Sequence, residues 1–227
     1  MVTALNNKLF NSPKILWEEK ATAFLVANAL PKISGAWKLM LLGDGSPTRH
    51  LQLLTNHETK IRLISMQIDP LFKKEGPREI DQLKEPLIRR QVWIRNQNKN
   101  LAWAESWWNS EKVSQNLKSK EEPIWKNLTQ DRSELFREVD SISIVNSNWL
   151  EEEFCFKGPF WSRNYRFFRN KKPLTIIREV FNPLLETWLG PSGIQNFSNL
   201  YSSSSRPRNT SSTVSYTHLR AHETDHD

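Results

Sequence analysis

Two stretches of the chain alternate apolar and polar positions with the two-residue period of a strand, and each is followed by a polar turn and a returning run. In the later one, residues 165–169 are rich in aromatics, residues 170–173 make the turn, and residues 174–181 form an aliphatic return strand. Successive strand side chains point to opposite faces, so Thr175, Ile177, Glu179 and Phe181 share one face and Leu174, Ile176, Arg178 and Val180 the other. Glu179 therefore stands between apolar neighbours on a face predicted to be buried. An ionised carboxylate there needs a partner or a task. The earlier hairpin runs over residues 87–95, turns through 96–100 and returns over 101–108. Ile88, Arg90, Val92 and Ile94 fall on one face, and Arg89, Gln91, Trp93 and Arg95 on the other. Arg90 is thus expected inside and its neighbour Arg89 in solvent. On the return strand Ala102, Ala104 and Ser106 form a row of small side chains. Such a row leaves space for a ligand or for nearby tryptophans, and spacing alone favours the tryptophans.

The remaining pattern is helical in some stretches and extended in others. Residues 21–30 and 37–42 read as apolar helices, the first ended by Pro31. The break at 43–47 offers Asp44 or Ser46 as a cap for a short helix over 48–56. Residues 60–68 read as a strand, 70–86 as a polar connection, and 108–122 as a polar loop. A helix opens at Pro123, with Leu128, Leu135 and Phe136 as core candidates. Residues 138–145 read as a strand and 183–190 as a short last helix. Antiparallel hairpins with segregated helices predict an α+β domain.

Composition narrows this picture. The 227 residues include ten tryptophans and eleven phenylalanines, which supply a large buried area. The most apolar region, residues 21–42, is interrupted by Asn28, Pro31, Lys32 and Lys38, so no membrane span is expected. Glu18 and Glu19 arrive early for a secretory leader. The single cysteine, Cys155, excludes a disulfide framework or a cysteine-rich zinc site within one chain and suits a reducing compartment. The Asn-X-Ser/Thr matches at Asn127, Asn196 and Asn209 are then chance matches. No metal site is expected.

The end of the chain is read separately. Residues 193–213 are Ser- and Asn-rich and too polar to build a core, and a disordered tail is expected there. Residues 214–224, VSYTHLRAHET, resemble a translated sequencing-library adapter, so 214–227 are expected to be artefactual. The body is then residues 16–192, preceded by a short segment, 1–15. Without Arg220, Glu223, Asp225 and Asp227 the chain carries 31 Lys+Arg against 22 Asp+Glu. His218, His222 and His226 also drop out, leaving His50 and His57, which read as surface residues. The cations are scattered rather than massed on one helix, and no nucleic-acid motif is present, so nucleic acid is not the expected partner.

Arg90 and Glu179 could simply pair with each other. Yet Arg163, Arg166 and Arg178 add cations around the second hairpin. An excess of arginine over carboxylate suits a small anionic ligand, because guanidinium binds carboxylate through two parallel hydrogen bonds.

Residues 39–55 (LMLLGDGSPTRHLQLLT), 89–109 (RRQVWIR to LAWAESWWN), 158–163 (GPFWSR) and 172–183 (KPLTIIREVFNP) together resemble the cyanobacterial and plastid-encoded branch of chorismate lyase. The likeness spans roughly residues 16 to 190, with its motifs in the family's order. It implies a six-stranded antiparallel sheet with flanking helices. It implies conversion of chorismate to 4-hydroxybenzoate and pyruvate for quinone biosynthesis, without metal or organic cofactor, in plastid stroma or cytoplasm. Catalytic residues carried over are Arg90 and Glu179. Arg163 is expected to hold a second carboxylate or to bias Glu179. Backbone amides near Ser46 and Thr48, and near Ile124, are expected to bind substrate. Pro47, which has no N–H, departs from the family's pattern, so Ser46 or Thr48 must supply that donor. A non-catalytic sensor of small aromatic acids, a role the same fold serves behind a DNA-binding module, is the alternative; the short segment ahead of Ala21 favours the enzyme. Oligomeric state is not legible.

Overall fold

The computed structural model describes residues 9–26, 33–130, 132 and 134–194. In chain order the elements are β1 (Lys14–Lys20), α1 (Ala21–Val26), α2 (Gly35–Leu42), α3 (Pro47–Thr55), β2 (Thr59–Ile68), α4 (Phe72–Glu75), β3 (Leu87–Asn96) and β4 (Lys99–Asn109). Then follow α5 (Val113–Asn116), α6 (Ile124–Thr129), β5 (Phe136–Asn146), α7 (Asn148–Phe154), β6 (Phe160–Arg169), β7 (Lys172–Phe181) and α8 (Glu186–Leu189). The strands form one open sheet in the order β1-β5-β6-β7-β4-β3-β2, with every neighbouring pair antiparallel. The fold is therefore α+β, with seven strands where six were expected. The additional one, β1, reads KILWEEK and looks too charged for a strand. It lies at the sheet edge against β5, where charged side chains reach water and guard against further pairing.

Both expected hairpins form. In the β6–β7 turn Asn170 and Lys171 have φ of 52° and 62°. Left-handed backbone at both positions matches the right-handed twist of the flanking strands.

Helices cover one face of the sheet, here the front. Trp37, Met40 and Leu41 of α2 and Leu51 of α3 pack on Val92, Ile94, Ala102, Trp161 and Phe181. Ser34 caps α2 by accepting from the Trp37 amide at 3.1 Å, and the Trp37 indole donates to the Gly190 carbonyl at 2.9 Å. The back face is covered as well. Leu150 and Phe154 of α7 pack on Trp93, Trp103 and Val180, while Phe72, Ile80 and Leu83 pack on Trp107 and Ile176.

That second cover corrects one expectation. Arg89 does not face solvent; it is 0% exposed on the back face. Its Nε and Nη2 donate to Glu105 and its Nη1 donates to Glu75 at 2.7 Å. Arg178 also lies there and donates to Glu105 at 2.9 Å, and Arg166 pairs with Asp140. Neither joins the expected cation cluster on the front. Phe136, an expected core residue, is 61% exposed where β5 begins, whereas Leu128 is buried. The helix expected over 21–30 is described as far as Val26, and the tail readings from 195 onward lie outside the described residues.

Candidate active site

Pairing register explains why the site lies where it does. One row across the front face runs Val92, Ala104, Glu179, Arg163, Ile142. The next runs Arg90, Ser106, Ile177, Tyr165, Val139. A third runs Ile88, Trp108, Thr175, Phe167, Arg137. Ala104 separates Val92 from Glu179 with a single methyl group, and a hollow opens above it. The pocket is a small cavity of about 40 Å³. Its wall includes Arg90, Ala104, Arg137, Tyr165, Ile177 and Glu179 from the sheet, Ser46, Pro47 and Thr48 from the start of α3, and Ile124 and Trp125 from α6.

Five of the six expected site residues thus share one wall: Ser46, Thr48, Arg90, Ile124 and Glu179. The sixth, Arg163, stands beside Glu179 but off the pocket wall. Its Nε donates to Glu179 Oε2 at 2.8 Å, and its Nη1 donates to the carbonyls of Met40 at 2.7 Å and Gly43 at 3.2 Å. Those carbonyls lie at the C-terminal end of α2, where the helix dipole favours a cation. Arg163 thus contacts Glu179 and does not line the pocket. The other Glu179 oxygen accepts from the Tyr165 hydroxyl at 2.8 Å. Burial, and then the Glu179 charge, push the Tyr165 phenol far above its ordinary value, so it stays protonated and keeps donating. Glu179 is 3% exposed and held by two directed donors.

Arg90 does not pair with Glu179. It is 2% exposed, and its guanidinium reaches main-chain carbonyls: Nη2 donates to Lys120 at 2.6 Å and Glu122 at 3.1 Å, and Nε donates to Lys120 at 3.0 Å. Among the described residues it has no carboxylate partner. Burial pushes its pKa down to about 10, which still leaves it charged at neutral pH. For Arg89 the same burial penalty is outweighed by Glu105 and Glu75, and its pKa is raised. Two adjacent arginines therefore differ: one is neutralised by the protein, the other is not.

Three wall or near-wall residues were missed in the sequence. Arg137 is 8% exposed, and its guanidinium lies 4.7 Å from the Tyr165 ring centroid and 4.6 Å from that of Phe167. A β-bulge between Val139 and Ser141 shifts the alternation of β5 by one residue, so Arg137 faces the pocket although counting back from Ile142 and Ile144 turns it away. Tyr165 was read only as one aromatic of a strand. His50, expected at the surface, is half-buried against Gly45, where a methyl group would fall 2.1 Å from its Nε2. Burial lowers its pKa, as do the charges of Arg163, Arg137 and Arg49. His57 is exposed as expected.

The start of α3 accommodates Pro47 without strain, because the first helical position has no intrahelical use for an N–H. The Ser46 and Thr48 hydroxyls hydrogen-bond each other at 2.8 Å, and no side chain caps the helix. Asn127, one of the three Asn-X-Ser/Thr matches, is buried and exchanges hydrogen bonds with the Ser119 backbone, which fixes the loop that supplies the Arg90 acceptors. Among the described residues no three His, Cys, Asp or Glu side chains converge, and no helix is long and apolar enough to cross a membrane.

The fold is an α+β domain with Arg90 and Arg137 on the wall of its front-face pocket. The family model for Rv2949c-like chorismate pyruvate-lyases matches residues 41–189, and the chain belongs to that family. The uncharacterized protein ycf21 of Cyanophora paradoxa is 36% identical over 176 residues, covering 76% of this chain and 90% of that protein. Its counterpart in Pyropia yezoensis is 37% identical over 153 residues, covering 67% and 83%. Among solved structures, the effector domain of PhnF from Mycobacterium smegmatis aligns with a TM-score of 0.46 at 8% identity, over 63% of this chain and 91% of that one.

Proposed function

We propose that this protein is a chorismate lyase, which eliminates pyruvate from chorismate to give 4-hydroxybenzoate for quinone biosynthesis, in plastid stroma or cytoplasm. The observation that carries the reading is Arg90, a buried guanidinium with no carboxylate partner among the described residues, on the same pocket wall as an oriented carboxylate, Glu179. A cation left unneutralised by its own protein suits an anionic substrate.

In this reading Arg90 grips the ring carboxylate and fixes the ring over Ala104. The ether carbon–oxygen bond breaks, and its electron pair leaves with the enolpyruvyl group. The proton on the adjacent ring carbon, which bears the hydroxyl, departs to Glu179 or to water. The ring becomes aromatic, and the enolate takes up a proton to become pyruvate. Glu179 assists the proton movement, and Arg163 and Tyr165 hold it in place. Thr48 of α3 and Ile124 of α6 supply backbone contacts to the substrate.

Incubation of purified protein with chorismate tests this. The expected result is appearance of 4-hydroxybenzoate and pyruvate in equal amounts. Binding of 4-hydroxybenzoate with no consumption of chorismate would replace the enzyme by a ligand sensor.

A further inference from the structure

Arg137 is a second buried cation on the pocket wall. It forms no salt bridge among the described residues, and its one hydrogen bond sends Nη1 to the Gly45 carbonyl. Its Nε is buried with no hydrogen-bond partner among the described residues. An arginine so placed loses hydration without recovering it, which costs stability unless a ligand completes the set. Tyr165 and Phe167 hold the guanidinium by their ring faces and leave its edge free. The Gly45 bond ties it to the loop that leads into α3, whose Thr48 lines the same pocket. Thr48 is the second residue of that helix, so its N–H has no intrahelical acceptor. Charge counting agrees. Among the described residues, Arg90, Arg137 and Arg163 share the front face with one buried carboxylate, Glu179, and the other carboxylate that acts on Arg137, Asp44, is exposed. The pocket is therefore short by two negative charges, the number carried by a dicarboxylate.

We infer that Arg137 is a substrate-binding residue: together with the first turn of α3 it takes the enolpyruvyl carboxylate, while Arg90 takes the ring carboxylate. This deepens the chorismate reading and rests on it. Arg163, whose charge Glu179 already balances and which is absent from the pocket wall, is not needed for that task. The assignment gives the pocket its specificity. One arginine recognises what stays in the product, and the other recognises what leaves.

Two ligands separate the roles. 4-Hydroxybenzoate has only the ring carboxylate, whereas chorismate has both. Arg137→Met, which keeps side-chain length between the two rings, should weaken chorismate binding by about 10- to 100-fold, the worth of one charge-assisted hydrogen bond. Its affinity for 4-hydroxybenzoate should stay within about threefold of wild type, which also shows that the variant is folded. Arg137→Lys, which keeps the charge but loses the fork, should fall between. Arg90→Met should weaken both ligands. Equal losses for the two ligands in both Arg137 variants, or an unchanged chorismate affinity, would overturn the assignment. Wild-type protein that binds 4-hydroxybenzoate but not chorismate would also overturn it. Wild-type protein that binds neither would remove the chorismate reading and this inference with it.

Discussion

Arg89 and Arg90 are chemically identical neighbours with opposite fates, and the difference lies in what faces them. Arg89 donates to Glu105 and Glu75, and Arg90 donates to carbonyls alone. Removing Arg89 strips half-buried Glu75 of its cation and leaves buried Glu105 with Arg178 alone, so Arg89→Met should cost about 3–5 kcal/mol. Arg90→Met removes a charge that burial already opposes and should change stability by no more than about 1 kcal/mol. Urea midpoints of the two variants decide, and equal losses would mean that the carbonyl contacts of Arg90 hold the fold as firmly as the carboxylate contacts of Arg89. Glu179→Gln should do two things at once. Turnover should fall by roughly 10²-fold, the usual scale for acid–base assistance. Stability should fall too, because Arg163 loses its counter-charge in a buried setting. Full activity in that variant would take Glu179 out of the mechanism. Alternation was enough to choose Arg90 and Glu179 from the sequence, since both sit on regular strands. It was not enough for Arg89, because a strand's period says which face a residue takes and not whether that face meets water.

At the scale of elements, regularity separates what was legible from what was not. The two hairpins that carry Arg90 and Glu179 form where the hydrophobic pattern puts them, although β6 starts at Phe160, ahead of the aromatic stretch from Tyr165. β5 does not, because its bulge puts Arg137 on the pocket face, and a single extra residue leaves no mark in a pattern of period two. β1 escaped because an edge strand need bury little. α3 was found, but not the burial of its His50 against Gly45. That burial has a measurable consequence. The folded-state pKa of His50 lies below the ordinary value of 6.5, lowered by burial and then by Arg163, Arg137 and Arg49, with Glu179 opposing. A base with a depressed native pKa binds more protons when unfolded, so stability falls as pH drops through and below about 6.5 and is unaffected well above it. His50→Gln should flatten that part of the stability–pH profile, measured as denaturant midpoints between about pH 5 and 8. An unaltered slope would place the acid sensitivity in other groups.

For the whole molecule, the organising fact is a sheet buried on both faces, with its pocket on one and a neutralised ion cluster on the other. Residues near both ends of the described span complete the covers. Phe10 stacks on Trp149 at 4.4 Å on the back, and its main chain exchanges hydrogen bonds with Gln91. At the other end the Trp161 indole donates to the Ser192 carbonyl at 3.0 Å, the Ser34 amide donates to Pro191, and Ile194 is 6% exposed within the front core. The packed body therefore extends beyond the 16–192 read from the sequence, because a lone isoleucine in a polar stretch carries no periodic signal. This fixes where a truncation should begin to hurt. Removing residues 195–227, which are polar and include the adapter-like segment, should leave the melting temperature unchanged. Removing Gly193 and Ile194 as well takes a buried side chain out of the core and should cost about 2 kcal/mol. Thermal melts of chains ending at Ile194 and at Ser192 make the comparison. If the longer of the two already melts early, the polar tail contributes to the fold. If both melt with the intact protein, Ile194 packs without stabilising, and the domain ends where its sequence pattern does.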